Sequence, residues 1–355
     1  MEQSIVLLFL INYKQIDGSN KYNIFEGGTR WQPRYYKVTS LEALQQIIKN
    51  MKVLVATEKP FAKVAVDGIR NVVEGAGYEM ALLEKYTDVN ELYAAVADAD
   101  ALIVRSDKVT KEVIDHAKNL KIVVRAGAGF DNLDLEACTA RGIVAMNTPG
   151  QNSNAVAELV MGMLVYAVRN FFNGKSGSEL MGKKLGILAF GNVGRNVARI
   201  AQGFGMDVYA FDAFCPKEAI EAAGVKAVDS RDALFEICDI VSLHIPATAE
   251  TKNSINYEVV NKMKKGGIVV NTARKEVINE AELLKLMGER TDIRYISDIM
   301  PDAHEEFAKF EGRYFSTPKK MGAQTEEANI NAGIAAANQI VDFFKTGNKK
   351  FQVNK

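Results

Sequence analysis

From residue 51 onward, short apolar runs alternate with stretches in which apolar side chains recur every three or four positions. Continuous apolar runs are typical of strands buried on both faces, and the longer period is typical of helices. Helical stretches such as Val89–Val96 and Lys111–Ala117 separate the runs and predict a parallel sheet covered by helices. The first group of predicted strands is Lys52–Thr57, Tyr78–Leu83, Ala101–Val104, Lys121–Val124 and Ile143–Met146.

A second group of elements follows Pro149-Gly150 and begins with a long helix through Glu158 and Val168. The last helical stretch, Glu326–Phe344, has no strand after it, and we expect it to pack back on the first domain. The predicted fold class is therefore α/β, with two doubly wound parallel-sheet domains, the second a Rossmann domain inserted in the first. The strands predicted for this second domain are Leu185–Phe190, Asp207–Phe211, Val225–Val228, Asp239–Leu243, Ile268–Asn271 and Asp292–Ser297.

The pattern places the first domain at residues 51–148 and 326–355 and the second at residues 149–325. Residues 1–50 do not share this periodicity, because a short apolar run there gives way to an aromatic-rich polar stretch. We therefore expect an N-terminal extension that is peripheral or disordered, with Met51 as the natural start. The alternative is a small appendage docked on the rest.

Composition narrows the class of protein. The 355 residues are about two domains' worth, and 48% hydrophobic with 25% charged residues is usual for soluble globular proteins. A formal net charge of zero provides no general attraction to nucleic acid or to an anionic membrane. The run Ile5–Ile11 is too short to span a bilayer, and no basic segment of a signal peptide precedes it.

Cysteine usage bears on metal binding and on the compartment. The three cysteines are an odd number, are widely spaced and include no CxxC pair. This argues against a disulfide framework and against a zinc site, so we predict no bound metal. A reducing cytoplasm is the expected location.

A glycine-rich turn connects the first strand of the second domain to a helix. The segment GILAFGNVG, residues 186–194, lies where a dinucleotide fingerprint would lie. Gly191 would let the backbone approach a pyrophosphate, and Gly194 would let the helix pack on the strand. The amides of Asn192 and Val193 would face the phosphates at the helix N-terminus. Ala189 replaces the first glycine of the pattern, a change that costs little if its φ is negative.

Asp212, at the end of the next strand, distinguishes this turn from an ordinary strand–helix connection. Its carboxylate can accept hydrogen bonds from both hydroxyls of a ribose and would repel a 2′-phosphate, which predicts NAD rather than NADP. A helix N-cap is the alternative role. It is disfavoured because Phe214-Cys215-Pro216 follows before a helix can begin.

Later strands of the second domain also end in polar or special residues. Ligands of open α/β sheets bind at the carboxyl ends of strands, so we expect these residues to meet at one crevice. Arg274 directly follows an apolar strand, where it could bind a carboxylate and polarise an adjacent carbonyl. A solvated surface arginine is the alternative. The expected cofactor contacts are His244, Ile245, Pro246, Thr272, Ala273 and Asp298.

The first domain carries two arginines at predicted strand ends. Arg105 is followed by Ser106, and Arg125 opens a glycine-rich turn that contains Gly127. Two guanidinium groups with exposed backbone amides could bind a phosphate or a carboxylate, which predicts a small anionic substrate. Either arginine alone would more often be a surface charge. The first domain is thus predicted to bind substrate and the second to bind NAD.

The order and spacing of several segments resemble the D-2-hydroxy acid dehydrogenases. The resemblance extends from Met51 to about Phe344 and is closest to the phosphoglycerate dehydrogenase branch. It implies NAD-dependent oxidation of 3-phospho-D-glycerate to 3-phosphohydroxypyruvate, and a homodimer. The chain ends soon after its last helix, so we expect no C-terminal regulatory domain. The segments are RAGAGFDNLD (125–134), NTPG (147–150), the fingerprint, NTAR (271–274) and STPKKMGA (316–323).

The catalytic set that the resemblance implies is an arginine, a glutamate and a histidine. The arginine matches Arg274, but Lys319 follows Thr317-Pro318 where the histidine is expected, and Ala303 occupies the usual position of the acid. This pattern resembles a lysine-type subgroup in which lysine exchanges the substrate's hydroxyl proton. Asp302 is the nearest acid. His304 is a competing candidate, although its surroundings predict an exposed helix start.

Two other functions stay open at the level of sequence. A related dehydrogenase could act on an unphosphorylated acid such as hydroxypyruvate or glyoxylate. A NAD-binding regulator on the same fold could keep the fingerprint and lose the catalytic groups, as the changes at Lys319 and Ala303 allow. The presence of Arg274, Arg105 and Arg125 argues against the regulator.

Overall fold

The computed structural model describes residues 51–354, so the expectations for residues 1–50 lie outside the described part of the chain. Packing divides the chain into two units. Of the described residues, one unit comprises 51–151 with 329–354, and the other comprises Asn152–Ala328. The second unit is therefore inserted in the sequence of the first. Among the described residues, no helix combines the length and the apolar character needed to cross a bilayer.

The first unit is built on a five-stranded parallel sheet in the order β2-β1-β3-β4-β5. Alternate residues of β1 enter two different cores: Val53 and Val55 face one, and Leu54 and Ala56 face the other. Both faces of the sheet are thus covered, which is why its strands are continuous apolar runs. The strands are β1 (Lys52–Thr57), β2 (Glu79–Glu84), β3 (Ala101–Val104), β4 (Ile122–Arg125) and β5 (Val144–Asn147), and the helices between them are α1 (Lys63–Gly75), α2 (Val89–Val96), α3 (Lys111–His116) and α4 (Leu135–Ala140).

The second unit contains a seven-stranded parallel sheet in the order β12-β11-β10-β9-β6-β7-β8. The strand order reverses between β6 and β9, which is where ligands of doubly wound sheets bind. Its strands are β6 (Lys184–Leu188), β7 (Asp207–Phe211), β8 (Lys226–Ala227), β9 (Ile240–Leu243), β10 (Ile268–Asn271), β11 (Arg294–Ser297) and β12 (Tyr314–Ser316). Its helices are α5 (Ser153–Val168), α6 (Asn192–Gly203), α7 (Lys217–Glu221), α8 (Arg231–Ile237), α9 (Tyr257–Asn261), α10 (Glu280–Glu289) and α11 (His304–Ala308), with 3-10 turns at Asn170–Phe172 and Lys275–Val277.

Strands β7 and β10 of the second unit have the predicted bounds, and the other five strands differ from the sequence prediction. The edge strand β12 was not predicted, because its three residues are only half-buried and form too short a run to recognise. Strand β6 ends at Leu188 rather than at Phe190, because the chain already turns at Ala189.

The last helix, α12 (Glu326–Thr346), packs on the core of the first unit, as expected. Ala336 and Ile340 are fully buried there against the sheet. The residues after the helix close the edge of the sheet at β5. The Val353 amide donates to the Ala145 carbonyl at 2.8 Å, and the Asn354 side chain accepts from the Ala145 amide at 2.8 Å. Val353 and the Asn354 side chain thus occupy hydrogen-bonding groups of β5 that a neighbouring strand would otherwise bind.

Candidate active site

The fingerprint turn joins β6 to α6, which begins at Asn192 with Gly191 as its N-cap. A side chain at position 194 would place its Cβ 2.3 Å from the Ala189 carbonyl oxygen. Only glycine fits this contact between helix and strand, as predicted for Gly194. The amides of the first helical turn, including those of Asn192 and Val193, have no carbonyl partner within the helix, an arrangement that can bind phosphate groups.

Ala189 has a φ of +79°, so the condition under which alanine would cost little at this position is not met. The chain reverses sharply here, with the Ala189 amide donating to the Phe211 carbonyl at 2.8 Å and its own carbonyl turned toward Gly194. This conformation costs an L-residue about 1–2 kcal/mol. The first glycine of the fingerprint would avoid that cost, and alanine here carries it.

Replacing Ala189 with glycine is therefore expected to stabilise the protein by about 0.5–1 kcal/mol, after the greater chain entropy of unfolded glycine is subtracted. Urea denaturation would measure the change. Ala94 is a control, because it is exposed in the interior of α2, where the backbone is helical. Ala94→Gly should destabilise the protein by about 0.5–1 kcal/mol. A destabilised Ala189→Gly variant would contradict the strain at this turn.

Asp212 directly follows β7, and both of its carboxylate oxygens accept backbone amides. Oδ2 accepts from Phe190 at 2.7 Å, and Oδ1 accepts from Phe214 and Cys215 at 2.7 and 2.9 Å. The local capping role considered as an alternative is thus present, but for a turn rather than for a helix. The same bonds fix the carboxylate beside the fingerprint turn, where it can also accept ribose hydroxyls.

His244 follows β9, and hydrogen bonds hold its ring on both sides. Nε2 lies 2.9 Å from Ser242 Oγ, and Nδ1 lies 3.5 Å from Thr272 Oγ1. Burial lowers the pKa of His244 to about 3, so the ring is neutral at physiological pH. It links β9 to the segment after β10 without adding charge. Ile245 and Pro246 continue from it at the same edge of the sheet.

Arg274 is exposed three residues beyond β10, at the end of a turn held by Asn271. The Asn271 side chain accepts from the Ala273 amide at 3.0 Å and donates to the Arg274 carbonyl at 2.9 Å. Thr272 and Ala273 are buried in this turn. The Arg274 guanidinium donates to the Ala273 carbonyl at 2.9 Å through Nη1.

Asp298 is fully buried after β11, and it organises the segment after β12. Its Oδ1 accepts from Thr317 Oγ1 at 2.9 Å and from the Met321 amide at 2.8 Å. Oδ2 accepts from the Gly322 amide at 2.8 Å, and a Cβ at position 322 would lie 2.9 Å from that oxygen. Asp298 therefore anchors both ends of the segment that carries Lys319.

Lys320, which the sequence analysis did not single out, extends toward Arg274. Its Nζ lies 3.3 Å from the Ala273 carbonyl oxygen, the atom that also accepts from Arg274 Nη1. Both lysines are exposed, and the Lys319 carbonyl oxygen lies 2.8 Å from Thr317 Oγ1. The sequence did contain a signal for Lys320, because it shows two consecutive lysines after Thr317-Pro318 and either side chain could reach the site.

The other candidates for acid–base chemistry have structural partners. His304 begins α11 as expected, but it is half-buried rather than exposed, and Nδ1 lies 2.8 Å from Tyr314 Oη. The Asp302 carboxylate is paired with Lys275 Nζ at 2.5 Å. Glu280 accepts the amides of Asp302 and Ala303 at 3.0 and 2.8 Å, which puts a carboxylate beside position 303.

In the first unit, Arg105 follows β3 and is held over the loop after β1. Its Nη1 donates to the Lys59 and Pro60 carbonyls at 3.1 and 3.0 Å, and its guanidinium carbon lies 5.0 Å from the centre of the Phe61 ring. Nη2 donates to Asn329 Oδ1 at 2.8 Å. Ser106, the next residue, is exposed. The guanidinium is therefore preorganised before any ligand binds.

Arg125, which the sequence suggested as a second ligand for the substrate's anionic group, makes contacts inside the first unit. Its Nε donates to the Arg105 carbonyl at 2.9 Å, and Nη1 donates to the Gly129 carbonyl at 3.1 Å. A Cβ at position 127 would lie 2.4 Å from Arg125 Nη1, so Gly127 packs directly on the guanidinium. Arg125 thus supports the turn and the backbone of Arg105, while Gly127 keeps the turn close to it.

Comparisons with known proteins agree with this arrangement. Residues 142–311 match the family described as D-isomer specific 2-hydroxyacid dehydrogenase, NAD binding domain, which confirms the predicted Rossmann domain and its NAD cofactor. The D-3-phosphoglycerate dehydrogenase of Methanocaldococcus jannaschii is 38% identical over 267 residues, covering 70% of this chain but 51% of that protein. This chain thus spans about half of that relative's length.

Two further relatives are covered almost completely. The hydroxypyruvate reductase of Thermotoga maritima is 36% identical over 282 residues, which are 74% of this chain and 90% of that protein. The crystal structure of NAD+-bound 3-phosphoglycerate dehydrogenase from Entamoeba histolytica has 49% identity and a TM-score of 0.75, covering 86% of this chain and 99% of that one. With these relatives and the match over residues 142–311, the chain belongs to the D-isomer specific 2-hydroxyacid dehydrogenase family.

Proposed function

We propose that this protein catalyses the NAD-dependent oxidation of 3-phospho-D-glycerate to 3-phosphohydroxypyruvate. The observation that carries the proposal is the preorganised Arg105 guanidinium at the carboxyl edge of the first sheet, which suits a phosphate group. The names of the M. jannaschii and E. histolytica relatives support the same substrate. The product would serve as a precursor in serine biosynthesis.

Cofactor binding is assigned to the residues around the fingerprint turn. Gly191, Asn192, Val193 and Gly194 would hold the pyrophosphate at the N-terminus of α6, and Asp212 would accept the ribose hydroxyls. The nicotinamide half would be held by residues at the ends of the next strands. These are His244, Ile245, Pro246, Thr272, Ala273 and Asp298.

The chemical step divides between a hydride and a proton. Bound NAD would supply the acceptor for the hydride that leaves C2 of the substrate. Arg274 would bind the substrate carboxylate and polarise the carbonyl that forms at C2. Lys320 would take the hydroxyl proton, and in the reverse direction its ammonium would return it. We assign this role to Lys320 in preference to Lys319 because Lys320 shares the Ala273 carbonyl with Arg274.

The phosphate of the substrate is assigned to Arg105, Ser106 and the turn that contains Gly127. Arg125 would act through that turn and through the Arg105 backbone. The proposal also includes a homodimer, which the family resemblance implies, and a cytoplasmic location, which the cysteine usage favours. Light scattering on the purified protein would test the dimer.

The decisive assay measures NADH oxidation with 3-phosphohydroxypyruvate beside hydroxypyruvate and glyoxylate. Arg105→Ala should lower kcat/KM for the phosphorylated substrate by roughly 10- to 150-fold, because a charge-assisted contact is lost. Hydroxypyruvate should lose much less. An equal loss with both substrates would remove the support for phosphate binding at Arg105.

A second function is hydroxypyruvate or glyoxylate reduction. The T. maritima hydroxypyruvate reductase favours it, since this chain covers 90% of that protein. The same assay separates the two functions. A wild-type enzyme that prefers hydroxypyruvate over 3-phosphohydroxypyruvate would replace the first proposal with the second.

A further inference from the structure

A buried carboxylate lies just behind Arg105 in the first unit. Asp107, three residues past the end of β3, is 4% exposed. It accepts hydrogen bonds from the Glu58 amide at 2.6 Å, from Tyr86 Oη at 2.9 Å and from the Arg105 amide at 3.3 Å. The phenol is itself buried, and its pKa is raised by that burial and by the adjoining carboxylate.

The three donors come from three neighbouring strands of the sheet. Glu58 follows β1, Tyr86 follows β2 and Arg105 follows β3, and these strands are adjacent in the order β2-β1-β3. One carboxylate therefore ties together three strand-end loops at the edge where ligands of such sheets bind. Three hydrogen bonds to one buried side chain hold these loops together.

The loop held at Glu58 is the loop on which the Arg105 guanidinium rests. Arg105 Nη1 donates to the carbonyls of Lys59 and Pro60, which directly follow Glu58. Asp107 thus fixes both the backbone of Arg105 and the acceptors of its side chain. A shift of the Asp107 carboxylate would therefore move both the Arg105 backbone and the carbonyls that its guanidinium contacts.

We propose that Asp107, with Tyr86, is a positioning residue that sets the affinity of the enzyme for the phosphate of its substrate. It acts through Arg105 and the loop after β1 and does not touch the substrate. This inference rests on the proposed function, since it requires that Arg105 binds a phosphate.

Asp100 provides a matched control for a purely structural role. It lies at the opposite end of the same strand β3, where it accepts from the Lys52 amide at 2.9 Å. Both aspartates accept the amide of a residue beside or within β1, but Asp100 is at the amino edge of the sheet, away from Arg105. Asp100→Asn should change stability without changing substrate preference.

The test is a set of steady-state assays on the full chain with 3-phosphohydroxypyruvate and with hydroxypyruvate. In Asp107→Asn the new amide group must face one of the three donors, so the network loses a bond. KM for 3-phosphohydroxypyruvate should rise about 10-fold, while KM for hydroxypyruvate and for NADH stays within about 2-fold. Asp100→Asn should leave all three values within about 2-fold.

Tyr86→Phe removes one donor to Asp107 and provides a milder variant for the same assays if Asp107→Asn fails to fold. It should raise KM for 3-phosphohydroxypyruvate about 2- to 4-fold and leave hydroxypyruvate unchanged. Equal changes for both substrates in the folded variants would overturn the inference. A wild-type enzyme that does not reduce 3-phosphohydroxypyruvate would instead overturn the proposed function, before any variant is measured.

Discussion

Substituting Lys320 with methionine is expected to lower kcat by about 10²–10⁴-fold, which is the contribution of a positioned acid–base group. Methionine keeps most of the side-chain volume and removes the group that exchanges the proton at the substrate oxygen. NADH binding should stay within about 2-fold, because Lys320 is not among the residues assigned to the cofactor. Steady-state kinetics in both directions, with NADH fluorescence titration, would measure the two effects separately.

Lys319→Met is the matched control, since it removes the same charge one residue earlier. It should keep more than about half of the wild-type turnover if the proton passes through Lys320. The opposite result would return the role to Lys319, the residue that directly follows Thr317-Pro318. Normal turnover in both variants would end the lysine mechanism and direct attention to His304 or to a bound water.

Arg274→Lys should cost about 10²–10³-fold in kcat/KM, although the positive charge is kept. A lysine cannot donate two parallel hydrogen bonds to a carboxylate and also reach the neighbouring carbonyl of the substrate. The loss should appear with phosphorylated and unphosphorylated substrates alike, because both carry the 2-oxo acid group. This pattern distinguishes Arg274 from Arg105.

Arg199→Lys makes the same substitution on an exposed arginine of α6, whose Nη2 donates to Asn154 Oδ1 at 2.7 Å. Turnover in this control should be unchanged within about 2-fold, because surface contacts of this kind contribute little. Wild-type kinetics in Arg274→Lys would mean that Arg274 is a solvated surface residue, the alternative that its exposure left open.

The central strands could be predicted from the sequence, because a strand buried on both faces of the sheet is a continuous run of apolar residues. Strand β3 and strand β10 have the predicted bounds for this reason. The half-buried strand β12 lacks that signal. The positive φ of Ala189 could not be predicted either. It depends on how tightly the chain reverses between strand and helix, and alanine, unlike glycine, does not indicate a positive φ.

The sequence predicted which residue types lie at the strand ends of the site. It did not predict which atoms those residues contact. Arg105 and Arg125 look equivalent in sequence, since each follows an apolar strand. Their difference arises because Arg125 folds back onto the Arg105 carbonyl, a bond between residues 20 positions apart. The choice between Lys319 and Lys320 likewise depends on the turn anchored by Asp298, which spacing alone does not define.

The insertion of one unit into the sequence of the other has a consequence for synthesis on the ribosome. Strands β1–β5 emerge first, but Ala336 and Ile340, which cover one face of their sheet, emerge only after all of Asn152–Ala328. At typical translation rates that delay is roughly ten seconds or more. During it the inserted unit can complete its own core, whereas the earlier strands present an apolar face that α1 covers only in part. The unit that begins first is therefore the one that matures last, and chaperone dependence should concentrate there.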